Sequence, residues 1–148
     1  KRLKEMAKPN IHFEGWLDNS QIRSHFARCR AFIFCGEEDF GITLLEAQAM
    51  GRPVIALGRG GALETVVPDS QSWKPETGID KIATSQPTGV FFYEQTPEAL
   101  IKAIQHFESI ESQFDGNAIR THAQKFDVSV YTERMKTFIE KKLASHSR

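Results

Sequence analysis

Two glutamates, Glu38 and Glu46, stand eight positions apart with Phe40-Gly41-Ile42-Thr43-Leu44 between them. An ionised carboxylate accepts from two vicinal hydroxyls at once, which suits a ribose or hexose diol. Gly41 lets backbone approach a ligand closely. A helix opening just after Gly41 presents unpaired N–H groups and a positive dipole end, which suits a phosphate. Thr43 adds a hydroxyl in the first turn. The combined chemistry is one acidic group for each of two sugars, with an anion-binding helix start between them. Neither glutamate is diagnostic alone: Glu46 also fits a solvated helix position, and Gly41 a plain helix-entry glycine. The information lies in the whole string.

The surrounding elements must hold that string in place. Ala31 to Cys35 is an apolar run without polar alternation, which predicts a strand covered on both faces. Gly36 to Phe40 is an acidic loop. Ile42 to Met50 is a helix stopped by Gly51, with Pro53 beyond it. Val54 to Leu57 is a second buried strand. Strand, loop, helix, strand is the unit of a parallel sheet and its ligand crevice.

The rest of the chain repeats this alternation. Lys1 to Lys8 is helix-like and basic, without the apolar centre of a secretory signal, and reads as the end of a helix that began earlier. Ile11 to Phe13 predicts a short strand. Asp18, Asn19 and Ser20 offer caps to a helix with Ile22, Phe26 and Cys29 on one side. Gly58-Arg59-Gly60-Gly61 is a tight loop before a short helix at Ala62 to Val67. The segment 69–88 is polar and predicts an exposed insertion. Gly89 to Tyr93 is the last strand. Thr96-Pro97 opens a helix with Leu100, Ala103, Ile104 and Phe107 as its apolar stripe. Ala118 to Phe126 and Val128 to Leu143 are the final helices, the last with Tyr131, Met135, Phe138 and Ile139 on one side. The expected fold is α/β, a Rossmann-like parallel sheet with helices on both faces. Ligands of such sheets sit beyond the carboxyl ends of the strands, so the loops Glu14 to Asp18, Gly36 to Phe40 and Gly58 to Gly61 should share one rim.

Composition excludes several function classes. The 148 residues carry a formal net charge of zero, so there is no chain-wide basic field for nucleic acid. No apolar run approaches the roughly 20 residues of a membrane span. The two cysteines, Cys29 and Cys35, read as reduced thiols of a cytoplasmic protein. The five histidines form no cluster at metal-ligand spacing, so no metal is expected. The Gly-x-Gly-x-x-Gly fingerprint of dinucleotide oxidoreductases is absent after the strands.

Glu38-Asp39-Phe40-Gly41-Ile42-Thr43-Leu44-Leu45-Glu46-Ala47, then Met50-Gly51-Arg52-Pro53-Val54-Ile55-Ala56, then Gly60-Gly61 and Glu64, resembles the signature of glycosyltransferase family 4, the group 1 retaining enzymes of the GT-B fold. The resemblance runs from Asn10 to about Phe138. It implies that this is the C-terminal, donor-binding part of a larger enzyme. The family's first strand-helix-strand unit, with the Arg and Lys that clamp the pyrophosphate, would precede Lys1, as would the acceptor domain.

The resemblance also implies roles. Glu38 matches the glutamate that contacts donor-sugar hydroxyls at the catalytic centre. Phe40, Gly41, Ile42, Thr43 and Leu44 match the segment at the donor sugar and pyrophosphate. Glu46 matches the ribose-binding glutamate. Trp16 and Leu17 fall where the base is held, largely by backbone, so GDP- and UDP-sugars both fit. Arg59, Gly60 and Gly61 line the cleft rim. No cofactor is implied. The partners implied are a nucleotide-diphospho-sugar donor, a saccharide or lipid-linked acceptor, and the enzyme's own acceptor domain. The wording around Arg59 to Val66 and Glu94 to Ile101 resembles mannosyltransferases of polysaccharide and O-antigen assembly, which favours GDP-mannose and places the intact enzyme at the cytoplasmic face of a membrane. The alternatives are another GT-B activity, such as a phosphorylase or epimerase, and a non-catalytic sugar-nucleotide-binding module.

Overall fold

A computed structural model describes residues 2–74 and 86–146. Three parallel strands form the sheet, in the order β1 (Phe32–Phe34), β2 (Val54–Leu57), β3 (Gly89–Phe92). Phe32 pairs with Val54, and Val54 in turn with Gly89. The helices are α1 (Arg2–Met6), α2 (Asn19–Arg28), α3 (Ile42–Ala49), α4 (Ala62–Thr65), α5 (Pro97–Ile110), α6 (Gly116–Ala123) and α7 (Val128–His146).

Alternation along β2 separates two cores. Val54 and Ala56 point to one face, where Phe26 of α2, Leu44 and Ala47 of α3 and Ala62 of α4 pack with Phe91. Ile55 and Leu57 point to the other, against Ala103, Phe107 and Ile110 of α5. The period of two in a strand and the 3.6-residue period in a helix produce this sandwich. The expected Rossmann-like sheet with helices on both faces is therefore present.

Local signals end the helices where the sequence places them. The Asp18 carboxylate accepts from the Ser20 and Gln21 N–H groups at 2.8 and 2.9 Å, and the Gln21 side chain accepts from the Asp18 N–H at 3.0 Å. This is a complete capping box at α2. Thr96 caps α5 through the Ala99 N–H, with Pro97 in the first turn. Gly51, at φ +74°, closes α3: its N–H donates to the Gln48 carbonyl at 2.8 Å, and the Arg52 N–H donates to Ala47 at 3.0 Å. That pairing is a Schellman stop, which needs a left-handed residue.

Two expectations need correction, and two others gain detail. Ile11 to Phe13 is not a strand; it is exposed irregular chain, and its ladder partner is missing because β1 pairs only with β2 among the described residues. A strand exists only through its neighbours' hydrogen bonds. β1 is not covered on both faces either: as an edge strand it leaves Ile33 42% exposed. The segment 69–88 is not simply exposed, because its ends are anchored. Asp69 and Thr88 are buried, the Asp69 N–H donates to Gly89 at 3.0 Å, and the Val67 N–H donates to Thr88 Oγ1 at 2.9 Å. The insertion's centre, 75–85, lies outside the described residues. Finally, the stripe Tyr131, Met135, Phe138 and Ile139 of α7 does form on one helix, yet all four side chains are exposed.

Candidate nucleotide-sugar site

The C-terminal ends of all three strands are tied into one rim by backbone and amide hydrogen bonds. The Gly61 N–H donates to the Glu38 carbonyl at 2.7 Å, joining the loop after β2 to the loop after β1. The Gly58 N–H donates to the Phe92 carbonyl at 2.8 Å, and Arg59 Nη2 donates to the Tyr93 carbonyl at 3.2 Å. Gln95 Nε2 closes the circuit by donating to the Cys35 carbonyl at 2.8 Å. Arg59 is thus directed at the end of β3 rather than into the Glu38 loop.

The rim glycines are sterically required. A Cβ on Gly60, which has φ +54°, would sit 2.5 Å from the Glu38 carbonyl oxygen. A Cβ on Gly61 would sit 2.6 Å from the Phe40 nitrogen. No side chain fits between two backbones this close.

Gly41 precedes α3 in the left-handed region, φ +78° and ψ +54°, and α3 has no side-chain cap. The Leu44 N–H already donates to the Gly41 carbonyl at 3.0 Å. The first-turn N–H groups of Ile42 and Thr43 have no acceptor among the described residues, and the Thr43 side chain is exposed beside them. Leu44 behaves differently from its neighbours in the string. It is 0% exposed, so its side chain belongs to the core and holds the loop up from beneath. A Gly41 Cβ would meet Leu44 Cδ1 at 2.9 Å, so the glycine and the leucine are matched.

Glu38 and Glu46 are both exposed and have no side-chain hydrogen bond among the described residues. Glu46 stands on a ridge between two concave surfaces. On one side, a groove of about 290 Å³ runs to α2, lined by Asn19, Ile22, Arg23, Phe26 and Met50. On the other, an apolar hollow of about 550 Å³ includes Phe40, Ile42, Arg120, Phe126 and Val128. Phe40 and Phe126 meet edge to face at 6.1 Å between ring centres.

The third expected loop does not join this rim through any hydrogen bond among the described residues. Because Ile11 to Phe13 forms no strand, Glu14 to Asp18 does not leave a strand end. Trp16 is 87% exposed and Leu17 is partly buried. The loop does lead directly into α2, whose first residue, Asn19, lines the same groove as Glu46.

Beneath the rim lies a buried polar cluster that spacing did not reveal. Gln48, fully buried, donates from Nε2 to the Leu44 carbonyl at 3.2 Å and to the Thr65 carbonyl at 3.0 Å. His122 Nε2 reaches the same Thr65 carbonyl at 3.1 Å. Burial pushes the His122 imidazolium pKa down, opposed in part by the Thr65 carbonyl and reinforced by Lys125. A ring nitrogen facing a carbonyl carries the proton, so Nε2 is the donor. Gln48 left one readable signal, a polar residue on the Leu44–Ala47 core face of α3.

Among the described residues no three His, Cys, Asp or Glu side chains converge as metal ligands, and no helix is long and apolar enough to cross a membrane.

A sequence profile for the family described as glycosyl transferases group 1 matches residues 1–125. The chain belongs to the group 1 glycosyltransferases. No curated protein matches it. Among solved structures, this group 1 glycosyltransferase chain is similar to a sucrose-phosphate synthase from Thermosynechococcus elongatus, with TM-score 0.72 and 22% identity. The match covers 97% of this chain and 33% of the synthase chain. The fold is therefore that of a GT-B glycosyltransferase domain, and the chain spans about a third of the synthase's length. Sugar transfer from an activated donor is the general activity of this family.

Proposed function

We propose that this chain holds the donor of a retaining glycosyltransferase, a nucleotide-diphospho-sugar, across the start of α3. The observation that carries this reading is the left-handed Gly41 entry to α3, which has no side-chain cap, set between two carboxylates that have no side-chain partner among the described residues. In this reading Glu38 accepts from the donor-sugar hydroxyls and Glu46 from the ribose diol. The N–H groups of Ile42 and Thr43, with the Thr43 hydroxyl, receive the pyrophosphate. Leu44 supports the site from the core and does not touch ligand. Phe40, Gly60 and Gly61 shape the rim, and Arg59 fixes it to β3. The base lies toward Trp16 and Leu17, along the groove that joins Glu46 to Asn19.

A same-face, retaining transfer requires the leaving nucleoside diphosphate to be stabilised and the donor sugar held rigidly. The helix start supplies part of the first and Glu38 part of the second. GDP-mannose is the favoured donor, with a saccharide or lipid-linked acceptor held by a separate acceptor domain. The intact enzyme would work at the cytoplasmic face of a membrane by peripheral association, without a cofactor.

The test is calorimetric titration of the full-length protein with GDP-mannose, GDP, UDP-glucose and UDP. Binding of a nucleoside diphosphate that weakens in Glu46→Ala supports the reading. Unchanged nucleotide affinity in Glu46→Ala removes the ribose role, and no binding of any of the four ligands removes the reading altogether.

A further inference from the structure

α4, Ala62–Thr65, is a single turn. A single turn does not sustain itself, because one hydrogen bond does not offset the ordering of its residues. Its last carbonyls also lack intrahelical partners. Yet α4 begins at Gly61, whose N–H holds the Glu38 carbonyl at 2.7 Å. Whatever steadies α4 therefore steadies the Glu38 loop.

The steadying contacts come from within the turn and from two other helices. Thr65 Oγ1 donates to the Gly61 carbonyl at 2.8 Å, tying the end of the turn to its start. The Thr65 carbonyl receives Gln48 Nε2 of α3 at 3.0 Å and His122 Nε2 of α6 at 3.1 Å. A chain of hydrogen bonds thus runs from α3 and α6 through Thr65 and Gly61 to Glu38.

Gln48 is an expensive way to fill this space. Its Oε1 is buried with no partner among the described residues. A buried unsatisfied acceptor is destabilising, and a methionine of similar length would avoid it. The orphaned oxygen weighs against the two hydrogen bonds that Nε2 donates, and what those two bonds fix is the distance between α3 and α4. We propose that Gln48 and His122 are positioning residues for Glu38, acting jointly through the Thr65 carbonyl. The proposal rests on the reading of Glu38 as the group that contacts the donor sugar.

The experiment uses the full-length protein and its nucleotide-sugar turnover, with Gln48→Met, His122→Phe, the pair together, and His122→Gln as the donor-retaining variant. Gln48→Met should leave the melting temperature close to the parent's, because it removes the orphaned oxygen together with the two hydrogen bonds that Nε2 donates. Its kcat should still fall by roughly fivefold or more, with donor KM and nucleoside diphosphate Kd within about twofold of the parent, the signature of a contact that matters in the transition state. The double variant should fall further, and His122→Gln should retain the parent's turnover. A Gln48→Met protein with the parent's kcat overturns the proposal. So does a loss in which kcat, nucleotide affinity and melting temperature decline together, which marks a purely structural role. A parent that binds no nucleotide-sugar overturns the glycosyl-transfer reading, and this one with it; a parent that turns over while Gln48→Met is unaffected overturns this one alone.

Discussion

The Gly61 N–H and the Glu38 carbonyl meet at 2.7 Å, so the loop that carries the first glutamate is registered by a glycine from the next strand's loop. The register depends on backbone, and the Glu38 side chain stays free. Two backbones approach this closely because residues 60 and 61 have no Cβ.

Gly61→Ala is accordingly expected to be severe. The added methyl would overlap the Phe40 backbone, and main chain yields less readily than a side chain. Overpacking of this kind costs about 1–3 kcal/mol. Thermal melts should show the loss, and donor turnover should fall further than stability accounts for. A Gly61→Ala protein with full turnover would contradict the register described above.

Glu38 and Glu46 are predicted to separate kinetically. Glu38→Gln keeps size and removes charge, so kcat should drop by roughly tenfold or more with little change in nucleoside diphosphate affinity. Glu46→Ala should raise the nucleotide Kd instead. Steady-state kinetics paired with calorimetry checks this, and a reversed pattern would exchange the two roles.

Leu44→Ala tests the support beneath the proposed phosphate site. Leu44 is 0% exposed and packs under Gly41. Emptying such a position costs about 2–5 kcal/mol. Chemical denaturation should report that loss, and any donor affinity retained by the folded fraction should be normal, since the side chain does not face the ligand.

His122 predicts a pH dependence. Its folded-state pKa lies below the ordinary histidine value, because burial disfavours the imidazolium. The unfolded chain therefore binds the proton more readily. The contribution of His122 to stability is complete above the ordinary histidine pKa and is lost as pH falls through it toward the folded value. Melting temperature measured from pH 8 down to pH 5 should decline more steeply for the parent than for His122→Gln. Parallel curves would remove His122 from the account.

Much of the fold was legible because local physics decides it. Val54 to Leu57 reads as a buried strand and is one, with every residue buried. Asp18, Thr96 and Gly51 end helices through bonds made within a few residues, and those bonds need no distant partner. Ile11 to Phe13 has the composition of a strand and fails to be one, because strand identity is conferred by neighbours. The exposed stripe on α7 shows the same limit: periodicity reveals which side is apolar, not what covers it.

The site divides in the same way. The string from Glu38 to Glu46 and the glycines at 60 and 61 carry the family resemblance and the proposed chemistry by themselves, because the residue types are contiguous and their spacing is set by one loop and one helix. What the tertiary structure alone decided is how they are held. Leu44 turned inward, Arg59 turned to Tyr93, and Trp16 remained exposed, none of which a list of residue types specifies. The contacts of Gln48 and His122 with the Thr65 carbonyl join residues 17 and 57 positions apart. Such pairings come from the packing of α3 against α4 and α6, where the chain's own order no longer determines which groups meet.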